Sequence, residues 1–146
     1  MLSELFIDNY KCLANCFLEL KSINLFAGPN SSGKSSVLQA LLIASDNVSE
    51  NRGTHGLKNY RTEASSFNDV RNFITNARSY KIRIGCTEYE PISLSFTPGD
   101  DSYQTTVVEQ LNDASPILLN IFQQENLLYL PATRPGGAYI QAINTD

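Results

Sequence analysis

The residues with the clearest chemistry are Gly28-Pro29-Asn30-Ser31-Ser32-Gly33-Lys34-Ser35, a complete match to the pattern GxxxxGK[ST]. A phosphate chain is held by several backbone N–H groups that converge on it. The loop presenting them must approach closely without Cβ clashes, which Gly28 and Gly33 permit. A helix beginning near Gly33 adds unpaired first-turn amides and the positive end of its dipole. Lys34 then reaches the β- and γ-phosphates as a point charge, and Ser35 offers a hydroxyl to the coordination shell of Mg2+. Ser36 offers one more phosphate contact from the same turn. Residues Gly28, Pro29, Asn30, Ser31, Ser32, Gly33, Lys34, Ser35 and Ser36 are therefore the candidate site for ATP with Mg2+. Lys34 is its candidate catalytic residue and Ser35 its candidate metal ligand. A fortuitous Gly/Ser-rich turn is the bland alternative, but it has no reason to carry Lys and Ser directly behind the second Gly.

The motif needs a strand before it and a helix behind it. Residues 23–27 (Ile-Asn-Leu-Phe-Ala) are a short apolar run that reads as the strand. Val37, Leu38, Leu41 and Leu42 recur three or four apart and predict one apolar helical face. Upstream, residues 2–10 and 16–20 read as a hairpin connected through Leu13-Ala14-Asn15. Downstream, residues 45–65 are polar, contain Gly and lack periodicity, which predicts a loop. Phe67, Val70, Phe73, Ile74 and Ala77 predict a helix of about three turns. Residues 80–111 predict a meander of three antiparallel strands, punctuated at Glu90-Pro91 and at Thr97-Pro98-Gly99. Ser115-Pro116 is an N-cap with Pro in the first turn, and Ile117, Leu118, Ile121 and Phe122 carry the helix to about Gln124. Residues 127–130 read as a buried strand and residues 131–146 as a tail.

Composition narrows the function classes. At 146 residues with 42% apolar and 18% charged residues, the chain has the size and make-up of one globular domain. Cys12, Cys16 and Cys86 are an odd number without dense spacing, and His55 has no ligand-forming neighbours, so neither a disulfide framework nor a zinc site is expected. A reducing cytoplasm fits that usage. No apolar stretch approaches the roughly 18 residues of a membrane span, and no basic region precedes a hydrophobic run at the N-terminus. The net charge of −4 disfavours generic nucleic-acid affinity, yet the charge is uneven. Residues 52–83 hold seven of the eleven basic residues against Glu63 and Asp69, so that segment is +5 and the remainder −9. It reads either as a surface for DNA or RNA phosphates or as a solvated loop and helix face.

The companions of the phosphate loop separate its classes. No NKxD-type base-recognition segment of a GTPase is present, and no Arg-rich lid marks a small-molecule kinase. The wider stretch over residues 5–41, L-F-I-D-N-Y-K-C-L-A-N-C-F-L-E-L-K-S-I-N-L-F-A-G-P-N-S-S-G-K-S-S-V-L-Q-A-L, resembles the N-terminal lobe of ABC-type ATPases in the SMC/RecF/OLD lineage. Ser31-Ser32 in place of the Gly common in SMC proteins looks more like the OLD-type ATPases and related bacterial defence ATPases, such as those of Septu and Gabija systems.

The resemblance implies an α/β fold, a P-loop NTPase head with an antiparallel β-rich lobe, of which residues 1–146 are the N-terminal part. It divides into hairpin, P-loop and helix over 2–45, a loop over 46–65, helix and meander over 66–130, and the tail. It implies a second ATPase head as partner, in a homodimer or higher oligomer, and a nuclease or other effector, with no membrane. By the same resemblance Asn9, Tyr10 and Lys11 lie near the adenine or ribose, or are only a strand end and a solvated turn. L-L-Y-L-P-A-T-R-P resembles a strand-and-arginine element, so Arg134 faces nucleotide, faces a partner, or is a surface residue in a Pro/Gly turn. Hydrolysis in this lineage needs an apolar strand ending in Asp-Glu and a Ser-Gly-rich signature helix, and neither occurs in these residues. Asp100-Asp101 follows a turn sequence and does not fit the first, and Gln141 aligns too thinly to stand for the coupling glutamine.

Overall fold

A computed structural model describes residues 1–48, 66–100 and 106–123. Among these residues five strands form one sheet: β1 (Leu2–Asp8), β2 (Cys16–Glu19), β3 (Tyr80–Cys86), β4 (Ile92–Pro98) and β5 (Thr106–Gln110). Their order is β2-β1-β3-β4-β5, and every neighbouring pair is antiparallel. Among the described residues three helices accompany them: α1 (Lys34–Asn47), α2 (Phe67–Val70) and α3 (Pro116–Phe122). The hairpin and the meander both form where the alternation predicts them.

Alternation along each strand sends one set of side chains to a common face. Leu5 and Ile7, Tyr80, Ile82 and Ile84, Ile92, Leu94 and Phe96, and Val108 are all buried there. The registers put Leu5 opposite Ile84, Ile7 opposite Ile82, and Tyr80 opposite Phe96. The Tyr80 and Phe96 rings stack at 4.4 Å with 8° between planes, and Phe67 and Tyr10 close over Tyr80 at 5.7 and 5.3 Å. Val37, Ala40, Ile43 and Ala44 of α1 belong to the same core. Ser115 Oγ accepts from Leu118 N at 3.2 Å, and Pro116 opens α3 where a missing amide costs nothing, so the predicted cap and helix are both present.

Four expectations are corrected. Residues 23–27 form no strand: among the described residues they pair with no neighbour, and Ile23 and Leu25 are 89% and 90% exposed. A strand requires a partner for its amides, and none of the described residues supplies one. Of the predicted α1 face, Val37 and Leu42 are buried and Leu41 is half-buried against the core, but Leu38 is exposed, and Ala40, Ile43 and Ala44 complete the buried face, because small alanines let the helix approach the sheet. The helix continues through Ser45, Asp46 and Asn47, where a loop is predicted; Ser45 Oγ bonds Leu42 O and Asn47 Nδ2 bonds Ile43 O, turning polar side chains back onto the helix.

The three-turn helix from Phe67 to Ala77 is a single turn, α2, followed by extended residues and a turn. Two amide bonds explain the break: Lys11 N donates to Val70 O at 2.6 Å, and Asn72 N donates to Asn9 O at 3.0 Å. Asn72 Oδ1 then accepts from Ile74 N and Thr75 N, which closes the following turn and leaves Phe73 and Ile74 exposed. The expected loop beyond residue 48, the strand at 127–130 and the tail at 131–146 lie outside the described residues.

Candidate phosphate site

The loop before α1 owes its curvature to three residues with positive φ: Gly28 at 151°, Ser31 at 63° and Gly33 at 92°. Gly33 is also a packing requirement. A Cβ there would stand 3.0 Å from Leu13 Cδ2 and 3.1 Å from Cys12 Sγ. The tight turn behind it, closed by paired bonds between Tyr10 and Leu13 at 3.0 and 2.8 Å, therefore forms the wall against which the phosphate loop rests.

Lys34 Nζ donates to Gly28 O at 2.9 Å, to Pro29 O at 2.6 Å and to Ser32 Oγ at 3.3 Å. The ammonium ties the two ends of the loop together and holds its arc. The first intrahelical bond is Val37 N to Gly33 O, so the amides of Lys34, Ser35 and Ser36 precede it. No side chain caps this end of α1, and its first turn carries no acid. The amides and the positive dipole end are thus left for an external anion.

Residues Gly28, Pro29, Asn30, Ser31, Ser32 and Ser35 are all exposed, and Ser36 Oγ lies 3.9 Å from Cys12 Sγ. This donor set fits a polyphosphate: backbone amides, one ammonium, and the reachable Ser35 hydroxyl as the one oxygen for a magnesium ion. The structure brings together every residue of the predicted phosphate site.

The flanking residues fall differently. Tyr10 is fully buried under the sheet, so its ring is not free to meet a base. Its hydroxyl titrates well above the ordinary tyrosine range because burial opposes the phenolate. Asn9 Oδ1 accepts from Thr75 Oγ1 at 2.9 Å, and Lys11 Nζ donates to Gln39 Oε1 at 2.7 Å, so both bind this turn to its neighbours. Cys12 is exposed and Cys86 is buried, all three cysteines are free thiols, and burial followed by the neighbouring Cys12 pushes the Cys16 thiol up. Leu13, Cys12 and Gln39 support the site without any sequence signal announcing them; only the fold sets them beside Gly33 and Lys11.

Among the described basic residues, Arg71 donates to Asn76 Oδ1 at 3.0 Å and lies over the Phe73 ring, and Arg83 pairs with Glu4 at 3.4 Å over Phe6. Arg52, Lys58, Arg61, His55, Asp101, Arg134 and Gln141 lie outside the described residues. No group of three or more His, Cys, Asp and Glu able to hold a metal occurs among the described residues, and no described helix is long and apolar enough to cross a membrane.

A glycine-curved loop, a lysine closing it and an uncapped helix start define the N-terminal region of a P-loop ATPase, here backed by a five-stranded antiparallel sheet. The chain belongs to the AAA ATPase domain family, whose model matches residues 1–130, and ATP binding follows from that membership. No curated protein matches it. Among solved structures it is similar in fold to the recombination mediator protein RecF, in a structure described as RecF-ATP in the RecFOR pathway, with TM-score 0.50 and 20% identity. That match covers 78% of this chain and 27% of the RecF chain, so the chain spans about a quarter of that relative.

Proposed function

We propose that this chain is the ATP-binding N-terminal lobe of an OLD-like ATPase head, one that pairs with a second head on binding nucleotide and thereby regulates a nucleic-acid process. The process we favour is nuclease-linked defence against phage. The observation that carries the reading is the loop of Gly28 to Gly33 closed by Lys34, with the uncapped start of α1 beside it. Residues Lys34 to Ser36 hold the phosphates through amides and the ammonium, and the Ser35 hydroxyl is the ligand offered to Mg2+. The metal, when bound, supplies charge neutralisation between the phosphates.

Two further observations support an incomplete head. Ile23 and Leu25 lie exposed on a segment directly before the loop that pairs with no strand among the described residues, the kind of surface that strands of a remaining lobe would cover. The sequence also lacks a strand ending in Asp-Glu to polarise an attacking water. The same fold serves a recombination mediator, which supports a nucleic-acid process. The Ser31-Ser32 pair supports the OLD-like assignment. The second reading, favoured by that missing Asp-Glu, is a non-hydrolysing nucleotide-binding subunit that pairs with a complete ATPase.

The test is Mg-ATP binding and turnover by this chain beside Lys34→Ala. Binding without turnover is the expected result, with affinity lost in the variant and the sheet intact. Equal affinity in both proteins would falsify the site. Turnover that depends on Lys34 would show that the chain itself positions the attacking water, and the incomplete-head reading would fall.

A further inference from the structure

The turn of residues 9–13 touches the phosphate loop on one side and the segment 70–75 on the other. On the first side, a Cβ at Gly33 would stand 3.1 Å from Cys12 Sγ, and Ser36 Oγ lies 3.9 Å from the same sulfur. On the second, Lys11 N donates to Val70 O at 2.6 Å, Asn72 N to Asn9 O at 3.0 Å, and Thr75 Oγ1 to Asn9 Oδ1 at 2.9 Å. Asn9 and Cys12 are three Cα steps apart, at most roughly 11 Å, so residues 72–75 are held within reach of a base whose phosphates lie at the start of α1.

That segment presents one aromatic ring. Phe73 is 63% exposed, although the turn that carries it is tied down: Asn72 Oδ1 accepts from Ile74 N and Thr75 N at 3.0 and 3.2 Å, and Ala77 N donates to Asn72 O at 3.0 Å. The Arg71 guanidinium lies 4.6 Å from the ring centroid and is fixed by its bond to Asn76 Oδ1 at 3.0 Å. No second ring among the described residues packs on Phe73. The other exposed aromatic side chains of the described residues stand elsewhere. Phe17 is opposite Phe6 on the sheet face that alternation turns away from the core, and Tyr89 follows β3 at the end remote from Tyr80. Tyr10, within the turn itself, is fully buried. A flat base stacks on a free aromatic face whatever its hydrogen-bonding pattern, and a purine covers more of the ring than a pyrimidine.

We propose that Phe73 is the platform on which the purine base of the bound nucleotide stacks, on the ring face opposite Arg71, while the phosphates occupy the loop at Lys34. The proposal rests on the ATP site described above, and it supplies the group that distinguishes a nucleotide from a bare polyphosphate.

The test is binding of Mg-ATP and of magnesium tripolyphosphate by the full chain, by Phe73→Ala and by Phe73→Trp. Phe73→Ala is expected to weaken ATP about 5- to 150-fold, the range of one base–aromatic stack, and to leave tripolyphosphate within about twofold. The chain has no tryptophan, so emission from Phe73→Trp reports this position alone. That variant is expected to keep its ATP affinity, with emission quenched by ATP and not by tripolyphosphate. Unchanged ATP affinity in Phe73→Ala overturns the proposal, as does equal weakening of both ligands or tryptophan emission that ATP leaves unaltered. If Phe73→Ala unfolds, the tryptophan variant decides alone. A parent that binds tripolyphosphate as tightly as ATP keeps the phosphate site and removes the base platform, whereas a parent that binds neither removes both.

Discussion

Replacing Gly33 by alanine tests the loop where backbone and packing constraints meet. At φ 92° and ψ 1° an L side chain strains its own backbone, at a cost of about 1–2 kcal/mol. The new Cβ would also meet Leu13 Cδ2 at 3.0 Å and Cys12 Sγ at 3.1 Å. Because Leu13 is only half-buried and Cys12 is exposed, both can give way, and the contact adds about 1 kcal/mol, the low end of overpacking costs. The two together destabilise the fold by about 2–3 kcal/mol, which at about 4 °C per kcal/mol for a domain of this size lowers Tm by about 10 °C. Urea unfolding followed by circular dichroism, with an ATP titration on the folded variant, reads both consequences. A double-mutant cycle with Leu13→Ala isolates the packing part, with an expected coupling of about 1 kcal/mol. A Gly33→Ala protein within about 0.5 kcal/mol of the parent refutes the argument, since neither the left-handed backbone nor the wall of Cys12 and Leu13 would then shape the loop.

Other perturbations act on the supports of the site. Burial raises the pKa of Tyr10 and Tyr80 above the ordinary value of 10.0, for Tyr80 with an added push from Tyr10, and neither hydroxyl has a hydrogen-bond partner among the described residues. A raised folded-state pKa means that the stability held by the neutral phenols is fully present below about pH 10 and is lost as pH rises beyond it. Replacing both by Phe should therefore leave neutral-pH stability unchanged or higher and move the alkaline unfolding midpoint upward; an unmoved midpoint in a pH series of urea melts would contradict this. Asn72→Ala deprives the amides of Ile74 and Thr75 of their acceptor and should cost about 1–3 kcal/mol, with faster exchange at those two amides as the local signature. Ser115→Ala removes the acceptor for Leu118 N and should cost about 1 kcal/mol, recovered by Ser115→Asp; equal stability of Ala and Asp variants would show that the cap is idle.

What the sequence determined by itself are properties that one segment carries alone. The spacing of Gly28, Gly33, Lys34 and Ser35 is a local requirement of a phosphate loop, and the structure forms that loop around Lys34. Period-two alternation in Tyr80-Lys81-Ile82-Arg83-Ile84 fixes which side chains turn inward, and Ser115-Pro116 writes a helix start in two residues. Tertiary structure decided what depends on a second segment. Residues 23–27 have a strand's composition, but their amides have no partner among the described residues, so no strand exists there. Residues 67–77 have a helix's apolar spacing, but Asn9 and Lys11 offer backbone bonds at Asn72 and Val70, and the helix stops after one turn. Packing between segments also buries Tyr10, which the sequence leaves open as a base-facing residue, and buries Ala40 while leaving Leu38 exposed on α1. Periodicity reports the faces a segment owns, whereas hydrogen-bond partners and burial are properties of pairs, and those pairs exist only once distant segments have met.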